Sequence, residues 1–232
     1  MLVTRAIAEE LMDADDLDAG TYAAVVHDLA KVNTLTMARR PTLNFIKKIS
    51  LRHDPMLGAI RILDVGFGDG DMLRRIAKWA AQIGQDIDLV GIDLNPRSAL
   101  AAREATPSSL NIDYRTGDYA ALAREQWDVI LSSLVAHHMT HQQLIDFIRF
   151  MDGHAEAGWF INDLHRHGFA YLGFPLLAKI MRWHPIVRHD GQLSIARSYR
   201  PHEWPTILNE AGIRGAKIAR KFPFRLCVSK IQ

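Results

Sequence analysis

Three histidines lie within five positions of this 232-residue chain, in the stretch SLVAHHMTH (133–141). Histidine is a common metal ligand, and it is also the side chain that most readily takes up a proton near neutral pH. Zinc ligands usually recur at a fixed spacing, as in His-Glu-x-x-His on one helix. His137, His138 and His141 lack that spacing. The sequence therefore favours proton transfer, and we expect no bound metal.

His141 is separated from the other two histidines because a helix is predicted to begin there. Thr140 and Gln143 have the spacing of a capping box, in which each side chain accepts the backbone N–H of the other. This spacing predicts a solvent-facing, first-turn position for His141. His137 and His138 then remain in the preceding loop as the two candidate bases, with a purely structural role as the alternative for each.

A carboxylate that could hold one of these histidines follows the next predicted strand. Asp163 lies in FINDLHRH (160–167). A carboxylate beside a histidine fixes its tautomer and stabilises the imidazolium that forms when a proton is abstracted. A helix cap or an ion pair with Arg166 is the alternative role for Asp163. His165, two residues further on, is a further catalytic candidate.

The elements that must position these residues follow an alternating pattern. From residue 60, short apolar runs alternate with helical stretches, which is typical of βαβ units and a parallel sheet. The predicted strands are 60–65, 88–93, 111–116, 127–134 and 158–164, and the predicted helices between them are 72–83, 96–104 and 142–151. The segments GAKIARKF and PFRLCVSK, with only Pro223 between them, predict an antiparallel pair at the sheet edge.

The first 57 residues lack this alternation and have the apolar spacing of helices. At this length the chain is expected to hold one full core rather than two independent domains. We therefore divide it into an N-terminal helical cap or lid, 1–57, and a single globular domain, 58–232.

A glycine-rich loop, GFGDG (66–70), follows the first predicted strand directly. Ligands of open α/β sheets bind at the carboxyl ends of strands, where this loop lies. The loop lacks the lysine of a phosphate-binding P-loop, and Asp71 stands where a dinucleotide fingerprint has its third glycine. Asp69 and Asp71 also oppose a pyrophosphate at the helix N-terminus. This favours a cofactor without phosphate groups over a nicotinamide dinucleotide.

The stretch DVGFGDG (64–70) resembles the first motif of the class I S-adenosylmethionine-dependent methyltransferases. S-adenosylmethionine fits the charge argument because it has a sulfonium, a zwitterionic amino-acid end and no phosphate. Asp93, at the end of the second strand, matches the family's ribose-binding acid, and a carboxylate can accept hydrogen bonds from both hydroxyls of a diol. Gly117-Asp118-Tyr119 resembles the family's adenine-contacting motif.

The resemblance implies a Rossmann-like α/β fold with helices on both faces of a mostly parallel seven-stranded sheet. The implied strand order is 3-2-1-4-5-7-6, with strand seven antiparallel and an N-terminal helical cap. The implied cofactor contacts are Asp64, Gly66, Phe67, Gly68, Gly70, Asp93, Leu94, Asp118, Tyr119 and Ser133. The implied catalytic residues, near the transferred methyl group, are His137, His138, Asp163 and His165.

The stretch SLVAHHM is also similar to ubiquinone-biosynthesis-type and sugar O-methyltransferases, and the C-terminal third resembles small bacterial methyltransferases of polyketide and phenolic pathways. This implies methyl transfer to a hydroxyl oxygen of a small aromatic or polyketide-like acceptor. The alternatives are C-methylation of an electron-rich ring and a non-catalytic, methyltransferase-like binding protein. Phe169, Tyr171, Phe174 and Trp183 could wall an apolar acceptor pocket, with packing in the core as the alternative.

Composition and charge weigh against other classes of protein. The net charge of +2, without a Lys/Arg run longer than two, does not indicate nucleic-acid binding. The longest apolar stretch, 168–178, is interrupted by Pro175 and is too short to span a bilayer. The single Cys227 and the acidic N-terminus indicate a cytoplasmic location. The expected partner is a lipophilic or aromatic small molecule, and a homodimer is left open.

Overall fold

The computed structural model describes residues 2–14 and 16–232, which contain a seven-stranded sheet. Its strands are β1 (Ile60–Val65), β2 (Ile87–Asp93), β3 (Asp113–Thr116), β4 (Trp127–Ser133), β5 (Ala155–Leu164), β6 (Lys217–Lys221) and β7 (Arg225–Ile231). The strand order is β3-β2-β1-β4-β5-β7-β6. Strands β1 to β5 pair in parallel, and β7 runs antiparallel to both β5 and β6. The strand order predicted from the sequence is confirmed.

Helices connect the parallel strands and cover both faces of the sheet. They are α1 (Ala19–Leu35), α2 (Arg40–Ser50), α3 (Asp71–Ile83), α4 (Pro96–Ala105), α5 (His141–His154), α6 (Gly168–Ile180), α7 (Pro185–Arg197) and α8 (Trp204–Ala211). The three helices predicted between strands are confirmed as α3, α4 and α5. No helix in the described ranges is long and apolar enough to cross a membrane.

Strand β4 shows why the sheet needs helices on both faces. Val129 and Leu131 pack in the cluster that includes residues of α2, α3 and α4, whereas Ile130 packs in the cluster of α5 and α8. Successive side chains of a strand point to opposite faces. A strand that is apolar at every central position is therefore stable only when both faces are covered.

Helix α2 packs against the sheet, although it belongs to the segment predicted as a cap. The ring of Phe45 stacks on Phe160 of β5 with centroids 4.9 Å apart. On the same face, Asn162 of β5 donates a hydrogen bond to Thr42 Oγ1 at 3.0 Å. The part of the N-terminal segment that can cover a site is therefore the chain before α2.

Residues 2–14, which we name the N-terminal strap, lie against α7. The backbone N–H of Ala6 donates to the carbonyl of Ala196 at 3.1 Å. Two further backbone N–H groups of the strap donate to the buried carboxylate of Asp190, at 3.0 and 2.8 Å. These contacts fix the strap across the carboxyl end of the sheet.

Candidate active site

A cavity of about 500 Å³ opens at the carboxyl ends of the central strands. The glycine loop after β1 and the end of β2 line one part of it. The loop after β4, which carries His137 and His138, lines another part, together with the strap, α1 and α7. The predicted cofactor motif and the predicted bases therefore border one continuous space.

Three glycines of the loop after β1 have positive φ, and at two of them, Gly66 and Gly70, a Cβ would also collide with a neighbouring side chain. Gly66 has φ +75°, and a Cβ placed there would lie 2.2 Å from Val135 Cγ2, closer than any real contact. Gly68, with φ +58°, donates its backbone N–H to Asp93 Oδ2 at 3.0 Å. Gly70 has a different role, because its Cβ would collide with the ring of Tyr114. It lies outside the described lining of the cavity and serves packing at the start of α3.

Two buried polar atoms on the cavity wall have no hydrogen-bond partner among the described residues, Asp64 Oδ1 and Ser133 Oγ. Burial, together with the charges of Asp93 and Asp71, raises the pKa of Asp64 to about 8. Buried polar groups in folded proteins nearly always have a partner. Both atoms are therefore placed to contact a ligand in the cavity, and a cationic group there would favour the ionised form of Asp64.

Asp93 is held rigidly at the end of β2. One carboxylate oxygen accepts the backbone N–H of Gly68 at 3.0 Å, and the other accepts that of Asn95 at 2.9 Å. Burial raises the pKa of Asp93. Each oxygen retains acceptor capacity, so the carboxylate can receive a diol from a ligand in the cavity.

The other residues expected to contact the cofactor occupy different positions. Phe67, Leu94 and Tyr119 line the cavity, and the ring of Tyr119 packs on Phe147 with centroids 4.9 Å apart. Asp118 is exposed, accepts the N–H of Ala120 at 2.8 Å and lies outside the described lining. In this structure Asp118 caps a short 3-10 turn.

His137 and Asp163 form a buried pair. The Nδ1 atom of His137 lies 2.7 Å from Asp163 Oδ1, and its backbone N–H donates to Asp163 Oδ2 at 2.9 Å. Burial lowers the pKa of His137, but the charges of Asp163 and Glu10 and the hydrogen bond to Asp163 outweigh it and raise the pKa to about 9. Asp163 lies outside the described cavity lining, so it acts on a ligand only through His137.

Glu10, on the strap, was not predicted as a site residue. It is 4% exposed, and its carboxylate lies 3.6 Å from His137 Nε2 and 3.8 Å from His138 Nε2. Ser194 Oγ donates to it at 2.8 Å. Glu10 and His137 are far apart in sequence and belong to no shared motif, so the chain offered no signal for their contact.

His138, like His137, has a carboxylate near each of its ring nitrogens. His138 Nδ1 lies 3.2 Å from Asp13 Oδ2, and its Nε2 faces Glu10. The rings of His137 and His138 have centroids 4.3 Å apart. His138 is more accessible than His137, with 30% of its side chain exposed. Each histidine thus has its own carboxylate at Nδ1 and shares Glu10 on the Nε2 side.

Glu10, His137 and His138 offer ligand atoms within 4.8 Å of one another, a grouping that could hold a metal ion. Carboxylates that orient histidines are also common around metal ligands. However, Glu10 Oε1 faces the guanidinium of Arg197 at 3.5 Å, and this positive charge opposes a second cation. The sequence could not show this grouping, because Glu10 joins it only through the fold.

The other two histidines considered from the sequence, His141 and His165, lie away from the cavity. His141 begins α5, is exposed, and contacts Glu210 at 2.6 Å, and the predicted capping box of Thr140 and Gln143 is present. His165 is half-buried and lies outside the described cavity lining, with its ring centroid 5.4 Å from that of His167. Burial lowers the pKa of His165.

The aromatic wall predicted from the sequence is only partly present. Phe174 lines the cavity and stacks near Trp183, which is buried in the packing of α1, α6 and α7. Phe169 is 79% exposed on the outer face of α6. Tyr171 and Phe169 lie outside the described lining. Phe174 thus fits the predicted wall and Trp183 fits the alternative of core packing. The wall was wrong for Phe169 and Tyr171, because α6 turns one face outward.

Comparison with known proteins finds a methyltransferase domain in this chain. Residues 62–158 match the methyltransferase domain family. A ubiquinone biosynthesis O-methyltransferase of Roseobacter denitrificans is 31% identical over 166 residues, which is 69% of this chain and 62% of that protein. That of Bartonella quintana is 29% identical over 158 residues, 65% of this chain and 59% of that protein. The chain spans about three fifths of the length of these curated relatives.

Solved structures share the fold at low sequence identity. The plantazolicin methyltransferase BpumL, in complex with a pentazolic desmethylPZN analog and SAH, has a TM-score of 0.67 at 15% identity over 91% of each chain. Human N-acetylserotonin methyltransferase, in complex with SAM, has a TM-score of 0.63 at 13% identity, covering 98% of this chain and 60% of that chain.

Proposed function

We propose that this chain, which belongs to the class I S-adenosylmethionine-dependent methyltransferases, transfers a methyl group from S-adenosylmethionine to a hydroxyl oxygen of a small aromatic or polyketide-like acceptor. One observation carries the proposal. The glycine loop, Asp93 and His137, whose ring is held by Asp163, border the same cavity. A methyl donor and a hydroxyl acceptor can therefore be held side by side, which in well-oriented systems lowers the barrier by roughly 7–11 kcal/mol.

The residues at the β1–β2 end of the cavity fit S-adenosylmethionine. The unpartnered Asp64 Oδ1 and Ser133 Oγ suit the ammonium and polar atoms of its amino-acid end. The fixed carboxylate of Asp93 suits the ribose diol, and the half-buried ring of Tyr119 suits a face of adenine. When bound, S-adenosylmethionine supplies a methyl group on a positively charged sulfur. The relatives crystallised with SAH or SAM support this assignment.

The histidine pair performs the proton transfer. His137, oriented by Asp163, or His138, oriented by Asp13, accepts the hydroxyl proton of the acceptor. The oxygen can then form its bond to the methyl carbon as the carbon–sulfur bond breaks, with the electron pair of that bond left on sulfur in S-adenosylhomocysteine. The carboxylates stabilise the resulting imidazolium. General base catalysis contributes roughly 10²–10⁴-fold to the rate. This proposal includes no metal ion.

Methylation of an electron-rich ring carbon would use the same base, and the product distinguishes the two reactions. The name O-methyltransferase, which the curated relatives carry, supports oxygen as the acceptor atom. The test is incubation of the protein with methyl-labelled S-adenosylmethionine and a panel of phenols, followed by mass spectrometry and carbon NMR of the products. A methoxy signal is expected. An aryl-methyl signal would overturn the choice of oxygen, and failure to bind S-adenosylhomocysteine in calorimetry would overturn the function.

A further inference from the structure

Two arginines line the cavity within the described ranges, and they differ in how their donors are used. Arg39 donates from all three of its guanidinium nitrogens, to Asp71, to Thr34 and to the carbonyl of Ala30. Arg225, the first residue of β7, donates only from Nη2, to Asn33 Oδ1 at 3.1 Å. Arg39 is therefore committed to the fold, whereas most of the donors of Arg225 are not.

Arg225 is also buried without an ion-pair partner. It is 3% exposed, and among the described residues no carboxylate lies within ion-pair distance of its guanidinium. Burial lowers its pKa to about 10, although the charge of Asp163 acts in the opposite direction. Charged groups are rarely buried unless they are paired. A buried guanidinium that borders a cavity is therefore placed to pair with an anion inside it.

The position of Arg225 in the sheet indicates which ligand supplies that anion. Strand β7 lies three strands from β1 in the order β1-β4-β5-β7, which is roughly 14 Å at about 4.8 Å per strand. The glycine loop and Asp93 lie at β1 and β2, whereas Arg225 pairs with Leu164, the last residue of β5, which directly follows Asp163. Arg225 thus lies on the acceptor's side of the histidine pair, away from the cofactor motif.

We propose that Arg225 binds an acidic group, most simply a carboxylate, on the methyl acceptor, so that the acceptor is a hydroxylated organic acid. The planar guanidinium fork matches a carboxylate with two parallel hydrogen bonds. Leu29, Val32 and Ala38 line the cavity with Asn33 and provide an apolar wall for the body of the acceptor. This inference rests on the proposed function, and it adds a substrate class to it.

The test compares acids with neutral analogues of nearly the same shape. Calorimetry on protein saturated with S-adenosylhomocysteine would measure the affinities of 4-hydroxybenzoate, 3,4-dihydroxybenzoate and 4-hydroxycinnamate and of their primary amides. For at least one pair, we expect the acid to bind roughly tenfold tighter or better, because a hydrogen-bonded charge is lost in the amide. If no acid binds, or if each acid binds no better than its amide, the proposal is wrong.

Variants of Arg225 then test whether this residue causes any preference for the acid over the amide. In R225M the acid and the amide should bind within about twofold of one another, whereas R225K, which keeps the charge without the fork, should retain part of the preference. R220M is the matched control, since Arg220 is exposed on β6 and its loss changes the net charge equally. A full preference in R225M, or its loss in R220M as well, would overturn the assignment. R225K keeps the test valid if R225M does not fold.

Methyl transfer is measured separately, so that the two proposals fail in different ways. A preference for acids that depends on Arg225, without transfer of labelled methyl to any acceptor, would refute the proposed function and leave the anion subsite in place. Methyl transfer to neutral phenols alone would refute the subsite and leave the proposed function in place.

Discussion

One carboxylate, that of Asp163, holds His137 at two points: the ring Nδ1 atom at 2.7 Å and the backbone N–H at 2.9 Å. The two contacts fix both the ring and the loop that carries it. They leave Nε2 as the ring nitrogen that is available to a ligand. Nε2 lies 3.6 Å from Glu10 Oε1. This distance is too long for a good hydrogen bond. A hydroxyl group that approaches Nε2 therefore displaces no strong contact.

Replacing Asp163 by Asn should lower kcat by roughly 10²–10⁴-fold, because the tautomer and the imidazolium of His137 lose their partner. His137→Ala should have a similar effect if His137 is the base. The affinity for S-adenosylhomocysteine should be retained, as measured by calorimetry. Asp146→Asn is the matched control, since Asp146 is an exposed acid on α5. Wild-type turnover in Asp163→Asn would remove this pair from the mechanism.

The pH dependence of the rate should reveal His137. A base must be unprotonated to accept a proton, and the pKa of His137 is raised to about 9. We therefore expect kcat/KM to rise with pH, about tenfold per unit, and to level off near pH 9. Glu10→Gln removes one of the charges that raise this pKa, so the profile should move to lower pH. A pH profile that is set by ionisation of the acceptor would not move in this variant. An unshifted profile would exclude His137 and point to ionisation of the acceptor itself, since Glu10 faces His138 as well as His137.

The sequence predicted the sheet because its signals are local. In β1, IRILDV, four of the six residues are apolar and they fall on both faces of the strand, which is the pattern of a parallel strand buried on both faces. The capping box at Thr140 is likewise set within four residues. Strand order followed from the family resemblance, and pairing in the structure confirms it.

Residues brought together by tertiary packing were not predictable in this way. Glu10 and Asp13 look like surface acids in a polar N-terminus, and only the contacts of the strap with α7 turn them toward the histidines. The spacing of aromatic residues in α6 likewise did not reveal which helix face would be covered. The close approach of Phe174 to Gly191 on α7 determines that face and leaves Phe169 outside.

Asp93→Ala should weaken the binding of S-adenosylhomocysteine by about 1.5–3 kcal/mol, the range for a hydrogen bond to a charged group. The loss has two sources, the ribose contact and the support that Asp93 gives to Gly68. Calorimetry measures it directly. Asp88→Ala serves as the control, because Asp88 lies on the same strand with nearly half of its side chain exposed. Equal affinities in wild type and Asp93→Ala would refute the ribose role.

Turnover should survive exhaustive chelation. Glu10, His137 and His138 could together bind a cation, but Arg197 lies against Glu10, and the proposed proton transfer needs a free Nε2 atom. The experiment is dialysis against a strong chelator, followed by metal analysis and an activity assay with labelled S-adenosylmethionine. Activity that disappears and returns on addition of zinc or magnesium would show that the cluster is a metal site.

Truncation of the strap should separate catalysis from cofactor binding. Removing residues 1–14 deletes Glu10, Asp13 and Arg5. Asp13 lies 3.2 Å from His138 Nδ1, and Arg5 donates to the carbonyl of His137 at 3.1 Å. The glycine loop and Asp93 keep their contacts, which do not involve the strap. We expect turnover to fall by roughly 10²-fold, because both histidines lose contacts that position them, while the affinity for S-adenosylhomocysteine changes little.

Point variants test whether the strap acts through charge or through closure. Glu10→Gln keeps the shape of the side chain, so it should retain the packing on α7 and lose only the charge opposite the histidines. If Glu10→Gln is as impaired as the truncated protein, the strap acts mainly through this carboxylate. If Glu10→Gln is nearly normal while the truncated protein is inactive, the strap acts by excluding water from the cavity. Equal loss of turnover and cofactor affinity on truncation would show that residues 1–14 only support the fold.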